Sequence, residues 1–462
     1  MFKQRPYRPL LSLWILLLLV LPAKVSQAAS VRLITDPEVM ALIQAMGKPL
    51  VKSAGLNPER VKFFVILDNS INAFALANQY VVFNSGLILK AKHYDEIAGV
   101  IAHELGHLKA GHHIKLKADA RTALAKQVVG AALGIAAGVA GSGEGASAFL
   151  IGSNAIARQG LLDSSRVKEQ QADRLAVDYM IRAAMDPEGV SRFFKTLYQL
   201  QRMNPVPPAY LSTHPLGLER LHAGQDLIDR LRENMGAFPT HERVQWQHQL
   251  KRIQAKLEAS ASKDLLTFLR QQRLKLRRML PGTPEHFAVR YGIALGMRYA
   301  GQLEKAEEGM RLLLKENPND PYLMRELGLV VLDHGRPEEA IILFRQAVAR
   351  AGQHPDMHYR LAFALHEAGQ FDEAANILYR LTSQYIEQNA PLYLLGVVEG
   401  KRGNLGMSHT ALARYERRRL KTKRALWHYR QALKHLPVKD ALRNRIKVEI
   451  KAAKEEAKKY KK

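Results

Sequence analysis

The stretch Val100-Ile101-Ala102-His103-Glu104-Leu105-Gly106-His107 sets two imidazoles four residues apart, with a carboxylate directly after the first. Apolar residues at Ile97, Val100, Ile101 and Leu105 recur at three- and four-residue steps, which predicts a helix with one buried face. On a helix, residues i and i+4 share a face, so His103 and His107 reach a single ion and Glu104 lies beside its open position. A carboxylate there takes a proton from zinc-bound water, whose pKa the metal lowers toward about 7, and passes it to a leaving amine. The stretch therefore predicts metal-dependent hydrolysis with Glu104 as general base.

Two histidines and a water leave one protein ligand to be supplied. The segment Ser165-Arg166-Val167-Lys168-Glu169-Gln170-Gln171-Ala172-Asp173 reads as the next informative helix and offers Glu169 as that ligand. Asp173, one turn on along the same face, is placed to accept the outer N–H of a ligating histidine and fix its tautomer. Taken alone, Glu169 and Asp173 would be a surface acidic pair; the upstream motif decides between the readings. The chain has no cysteine, which excludes a disulfide framework and thiolate ligands, so any metal is held by His, Asp or Glu. One zinc ion per chain is expected, and the same donor set also suits cobalt or nickel.

Around this motif the first half reads as mixed α and β. Asp36 to Ala54 has helical periodicity, while Val61 to Leu67 and Tyr80 to Phe83 are rich in β-branched and aromatic residues, as strands are. From His93 onward helix dominates. Residues 121–160 form a Gly- and Ala-rich apolar stretch, too short and broken to span a bilayer, expected as a helical excursion or lid over the site or as a surface-associating hairpin. Pro205, Pro207 and Pro208 mark a loop, Pro281 to Pro284 marks the next boundary, and residues 216–280 between them read as helical and connective.

The last third repeats itself. Gly301, Gly335, Gly369 and Gly403 stand 34 residues apart, and each opens a turn that closes on a small residue, Ala306, Ala340, Ala374 or Ser408. The pairs Ile293-Ala294, Leu327-Gly328, Leu361-Ala362 and Leu395-Gly396 precede these turns in the same register. A period of this length predicts antiparallel helix pairs, with glycine ending the first helix in a left-handed cap and the small residue letting the second pack closely. Residues 286–437 resemble the tetratricopeptide repeat family, whose arrays present a concave groove to partner segments. The basic run Arg414 to Arg424 departs from the pattern, and Lys439 to Lys462 is expected as a frayed, solvated helix.

Formal charge is +26 over 462 residues. Lys3, Arg5 and Arg8, the apolar run Leu10 to Leu21 and the small-residue exit Ser26-Gln27-Ala28 predict a signal peptide cleaved after Ala28. Its removal takes away Lys3, Arg5, Arg8 and Lys24 and leaves a chain that is still strongly basic. An exported basic protein meets anionic lipid, polysaccharide or acidic proteins sooner than nucleic acid, which is not an expected partner.

Beyond the repeats, the chain resembles the M48 family of zinc endopeptidases, and most of all its periplasmic, repeat-bearing branch of proteases and chaperones in Gram-negative bacteria. The likeness rests on Asn72-Ala73-Phe74-Ala75 with Tyr80 to Gly86, on His103 to His107, on Glu169 to Asp173 and on Ser212-Thr213-His214-Pro215. It implies an α+β zincin-like metallopeptidase domain followed by an all-α repeat domain. The expected organisation is a signal peptide (1–28), a peptidase domain (29–235), a helical connector (236–285), repeats (286–437) and a basic tail (438–462).

The resemblance also implies roles. Asn72, Ala73, Phe74 and Ala75 correspond to an edge strand that pairs with an extended substrate. His103, His107 and Glu169 correspond to the metal ligands, Glu104 to the base, and Asp173 to an orienter or proton donor. His214 matches a loop histidine that takes the fourth zinc position as a latch; alternatively His214 or Arg220 stabilises the oxyanion. His112 and His113 are left as surface residues.

Three functions compete on this reading. One is an endopeptidase for misfolded or stalled envelope proteins, held in the repeat groove. A second is an assembly chaperone with a latched site, tied to the outer-membrane assembly machinery. The third is a basic adaptor for an anionic membrane surface.

Overall fold

The computed structural model describes residues 33–76, 79–112, 162–203, 208–232, 240–351, 354–384 and 389–459. The expected signal peptide, the 121–160 segment, Pro205, Pro207 and His113 lie outside the described residues.

The N-terminal half is built on a four-stranded sheet and the helices that cover it. β1 (Leu33–Ile34), β2 (Lys62–Ile66), β3 (Ala73–Leu76) and β4 (Tyr80–Asn84) stand in the order β1-β2-β4-β3. β2 and β4 run parallel with Val65 opposite Phe83, and β3 runs antiparallel to β4 with Ala73 opposite Phe83. Helix α1 (Pro37–Ser53) starts on Asp36, whose carboxylate accepts the Glu38 and Val39 N–H groups at 3.0 and 3.3 Å, with Pro37 in the first turn. Its face of Val39, Leu42, Ile43, Met46 and Leu50 is buried in the main core.

A short helix α2 (Ser85–Lys90) leads to α3 (Tyr94–Lys109), which carries the His-Glu motif through the middle of this core. Glu96 returns to accept the Lys92 and His93 N–H groups, which fixes where α3 begins. Helices α4 (Leu162–Arg182) and α5 (Glu188–Met203) pack on α3. Gly106 decides how near α4 comes: a Cβ there would lie 3.0 Å from the Ala172 carbonyl oxygen, so only a bare backbone lets the two helices close to this distance. Arg192 of α5 pairs with Asp95 at the start of α3 and with Asp186 at 2.8 Å, which anchors the third helix. The one-turn α6 (Tyr210–Thr213) and α7 (Leu218–Arg232) follow.

The connector is two helices, α8 (Thr240–Ala261) and α9 (Leu265–Leu276), and α8 belongs to both halves. Leu250, Ile253 and Leu257 enter the N-terminal core, while Ala259 enters the core of the repeats. A buried charge network joins them. Lys256 Nζ lies 3.0 Å from Asp36, 3.0 Å from Glu38 and 3.1 Å from Glu326. Arg252 binds Glu38 at 2.8 Å and also Asp320, and Arg325 binds Glu326 and, at 2.6 Å, Asp356. Arg298 and Arg360 complete it at 3.9 Å from Glu326 and 3.4 Å from Asp356, and Tyr291 donates to Glu38 at 3.1 Å.

The repeats are helix pairs, as the period predicts: α10 (Pro284–Tyr299) with α11 (Leu303–Glu316), α12 (Pro321–Asp333) with α13 (Pro337–Ala351), α14 (Pro355–Glu367) with α15 (Phe371–Gln384), and α16 (Ala390–Lys401) with α17 (Leu405–Arg418). All four period glycines adopt φ between 73° and 79°, the left-handed cap that favours glycine. Ala306, Ala340, Ala374 and Ser408 are buried at the second-helix positions.

One sequence reading is corrected at the C-terminal end. After Leu420, which takes φ 57° where earlier turns use glycine, α18 (Thr422–His435) continues the array. The tail is not a frayed, solvated helix: α19 (Leu442–Lys459) buries Ile446 and Ala453. Glu449 and Glu456 hold it there by pairing with Arg414 at 2.8 Å and Arg417 at 2.5 Å. Those pairs also neutralise part of the basic run. Among the described residues no helix is long and apolar enough to cross a membrane.

Candidate metal centre

Because α3 and α4 approach at Gly106 and Ala172, the imidazoles of one helix face the carboxylates of the other. His103 Nε2 and His107 Nε2 lie 3.0 Å apart, and each is 3.3 Å from a different oxygen of Glu169. The loop after α6 brings in His214, whose Nδ1 is 3.4 Å from His103 Nε2 and 3.1 Å from Glu169. Ligand atoms of His103, His107, Glu169 and His214 all fall within 4.8 Å of one another, and all four residues are buried. Donors around a tetrahedral zinc ion with bonds of about 2.0–2.1 Å stand about 3.3 Å apart, the spacing seen here.

Behind these residues lies a second set of contacts. Asp173 Oδ1 is 3.0 Å from His103 Nδ1, so His103 points its other nitrogen at the centre. Arg220 grips Asp173 with two hydrogen bonds of 2.8 Å, reaches Glu169 at 3.2 Å and donates to the Pro215 carbonyl at 2.5 Å. Its guanidinium also stacks 5.1 Å over the Phe194 ring. Arg220 thus ties the His214 loop to the carboxylates. Four contacts engage its five N–H groups, which gives it a positioning role and leaves one Nη1 N–H over.

Three buried carboxylates, Glu104, Glu169 and Asp173, face the single guanidinium of Arg220. Burial resists charge on His103, but Asp173 and Glu169 outweigh it and push its pKa up to about 10. Burial opposes ionisation of Glu169 as well, yet His214, His103 and His107 hold its carboxyl far below the usual range. Asp173 is likewise held low against burial by His103 and Arg220. His107, where burial prevails over Glu169, is shifted down and kept neutral. Once His103 gives up its extra proton to serve as a neutral ligand, three carboxylates against one guanidinium leave a surplus of two negative charges, which fits a divalent cation.

Tyr210 is the site residue that sequence reasoning missed. Its hydroxyl lies 3.4 Å from Glu104, its ring stacks on His214 with centroids 4.5 Å apart, and its N–H donates to the Ile71 carbonyl at 3.0 Å, just before the β3 edge. Burial, with Glu104 nearby, raises its pKa well above the ordinary tyrosine value, so it stays a protonated donor. A tyrosine one helical turn before the loop histidine was the available signal. His112 is corrected too: it is half-buried, its ring centroid 5.6 Å from that of His107. Asn72 is buried beside β3, and its Oδ1 has no hydrogen-bond partner among the described residues.

Comparison with known proteins follows the same division of the chain. The profile of peptidase family M48 matches residues 37–227, and tetratricopeptide repeat profiles match 291–355 and 331–391. Metalloprotease YcaL of Escherichia coli (strain K12) is 30% identical over 193 residues, which cover 40% of this chain and 70% of that protein. The chain belongs to peptidase family M48. It is a metallopeptidase whose M48 domain is followed by a tetratricopeptide repeat array. This M48 chain is also similar to the Beta-barrel assembly-enhancing protease of Escherichia coli (strain K12), at 28% identity over 358 residues covering 76% of this chain and 70% of that protein. The protein of the same name in Yersinia pestis is 26% identical, with 77% of this chain and 71% of that one covered.

Proposed function

We propose that the chain is an exported, periplasmic zinc endopeptidase that cuts misfolded or stalled envelope proteins, including clients of outer-membrane assembly, with the repeat array as the client-binding surface. The observation that carries this reading is the convergence of His103, His107, Glu169 and His214 beside Glu104, with two negative charges uncompensated. Support for the client class comes from the assembly-enhancing relatives and the protein-binding character of such arrays.

In this reading His103, His107 and Glu169 hold one zinc ion. The ion supplies Lewis acidity at the reacting carbonyl and lowers the pKa of water there toward about 7. Glu104 accepts the proton of the attacking water and returns it to the leaving amine. Asp173 keeps the His103 Nδ1 proton in place, and Arg220 keeps Asp173 ionised and oriented. An extended client adds its backbone to the end strand β3, where the unpartnered Asn72 Oδ1 is an acceptor for one of its N–H groups.

The test is cleavage of an unfolded protein by the mature chain and by Glu104→Gln, with bound metal counted in both. A loss of about 10²–10⁴-fold at equal metal content is expected from removing a general base. Equal cleavage by the two proteins would overturn the assignment.

A second reading, a client-binding chaperone with its peptidase shut, is favoured by one observation: His214 Nδ1 lies 3.4 Å from His103 Nε2 and 3.1 Å from Glu169. As a fourth donor to the ion it would take the place of the attacking water. His214→Ala then raises cleavage by the resting enzyme, whereas a fall in cleavage would assign His214 to the chemistry instead.

A further inference from the structure

The last repeat unit carries a second set of imidazoles, more than three hundred residues along the chain from His103. His409 on α17 and His428 on α18 face each other with Nδ1 atoms 2.9 Å apart. His435, two turns beyond His428 on the same helix, stacks its ring on His409 with centroids 5.9 Å apart and planes 21° from parallel. Trp427 closes the group, edge-on to His409 at 5.5 Å and to His428 at 4.7 Å. The positions equivalent to His409 in the other units are Glu307, Ile341 and Ala375, so the repeat architecture does not call for histidine here.

We propose that His409 and His428 form a second, two-imidazole site for a divalent transition metal, bridging α17 and α18. Two nitrogens 2.9 Å apart either share one proton or direct both lone pairs at a cation between them. The same juxtaposition, at 3.0 Å, occurs between His103 and His107 at the proposed catalytic centre. Of the first-row divalent ions copper(II) binds imidazole nitrogen most tightly, so copper(II) is the ion expected here first.

Both imidazoles are also available as ligands. Burial, then His435, lowers the pKa of His409, and burial, then His409, lowers that of His428, so neither is protonated at neutral pH. Coordination would fasten α17 to α18 in the one turn of the array that Leu420 rather than glycine makes.

The experiment loads the full chain, with its catalytic ion in place, with one equivalent of copper(II) chloride, desalts it and counts metals. Wild type is expected to hold one copper ion beyond its catalytic metal, and His409→Ala and His428→Gln to hold none beyond it, with catalytic metal unchanged. Exposed Trp427 supplies an independent readout. Copper should quench tryptophan emission in wild type by half or more of the Trp427 share, and leave His409→Ala and Trp427→Phe unaffected. Circular dichroism reports whether each variant folds, and the two single-histidine variants back each other. Equal copper content and equal quenching in wild type and both variants would overturn the proposal.

Discussion

At the metal centre three carboxylates, Glu104, Glu169 and Asp173, face one guanidinium, whereas at the junction Asp36, Glu38, Asp320, Glu326 and Asp356 meet Arg252, Lys256, Arg298, Arg325 and Arg360, with the more exposed Asp333 as the nearer partner of Arg298 at 2.7 Å. Both clusters are largely buried, and both are made from helix ends and neighbouring helix faces. The junction neutralises itself and needs nothing from outside, so it serves as a fixed seat between the M48 domain and the repeats. The centre is left short of two positive charges. Buried charge that balances is structural, and buried charge that does not is an invitation to an ion.

That difference predicts opposite responses to losing one charge. Glu169→Gln should abolish cleavage of an unfolded protein and the bound catalytic metal together, while leaving the thermal stability of the ion-free chain unchanged or raised. Lys256→Ala should do the reverse. It strands Asp36, Glu38 and Glu326 in the interior, and removing one partner of a buried ion cluster costs about 3–5 kcal/mol. Denaturant midpoints measured on both variants in chelator decide the matter, and a comparable destabilisation by Glu169→Gln would break the comparison.

Metal removal sharpens it. An ion that binds only the folded chain adds about 2.7 kcal/mol of stability when present at a hundred times its dissociation constant. Chelation of wild type should therefore lower the melting temperature, and readdition of zinc should restore it. In Glu169→Gln the melting temperature should ignore both treatments. In Lys256→Ala it should follow both, starting from a lower value, because the junction has no part in holding the ion.

How much of this was legible in the sequence depends on how local the cause is. The repeat helices were readable because each Gly301-type turn and each Ala306-type contact is set within its own 34 residues. The α3 helix and the shared face of His103 and His107 could be anticipated because residues four apart lie on one side of a helix, whereas Glu169 comes from α4 and was read only from the need for a third ligand. Tyr210 was missed since its position depends on a hydrogen bond to Ile71 across the fold. The junction was invisible for the same reason: nothing local to Asp36, Lys256 or Glu326 tells that three distant segments meet there. The tail was misread because composition shows lysines and arginines but not that Glu449 and Glu456 find Arg414 and Arg417.

The smallest expected effect is that of pH on the junction. Lys256 gains its partners on folding; burial works against its charge, but Asp36 and Glu326 raise its pKa well above the ordinary lysine value. Its contribution is complete below about 10.5, the unfolded value, and is lost only as pH rises through the higher folded one. Glu326 moves the other way. Burial opposes its charge, yet Lys256 and Arg325 hold its pKa down to about 2. Its contribution is complete above the unfolded value near 4.5 and fades as pH falls toward about 2. Between pH 6 and pH 9 neither group changes its proton occupancy appreciably in either state, so this pair should add no slope to stability there. Urea midpoints of chelated wild type and Lys256→Ala, taken across this range, should stay a constant distance apart, and should converge below pH 4 as the carboxylates that Lys256 holds take up protons. A gap that instead changed steadily through neutral pH would mean that the junction contains an unpaired titrating group, and its equivalence of acids and bases would fail.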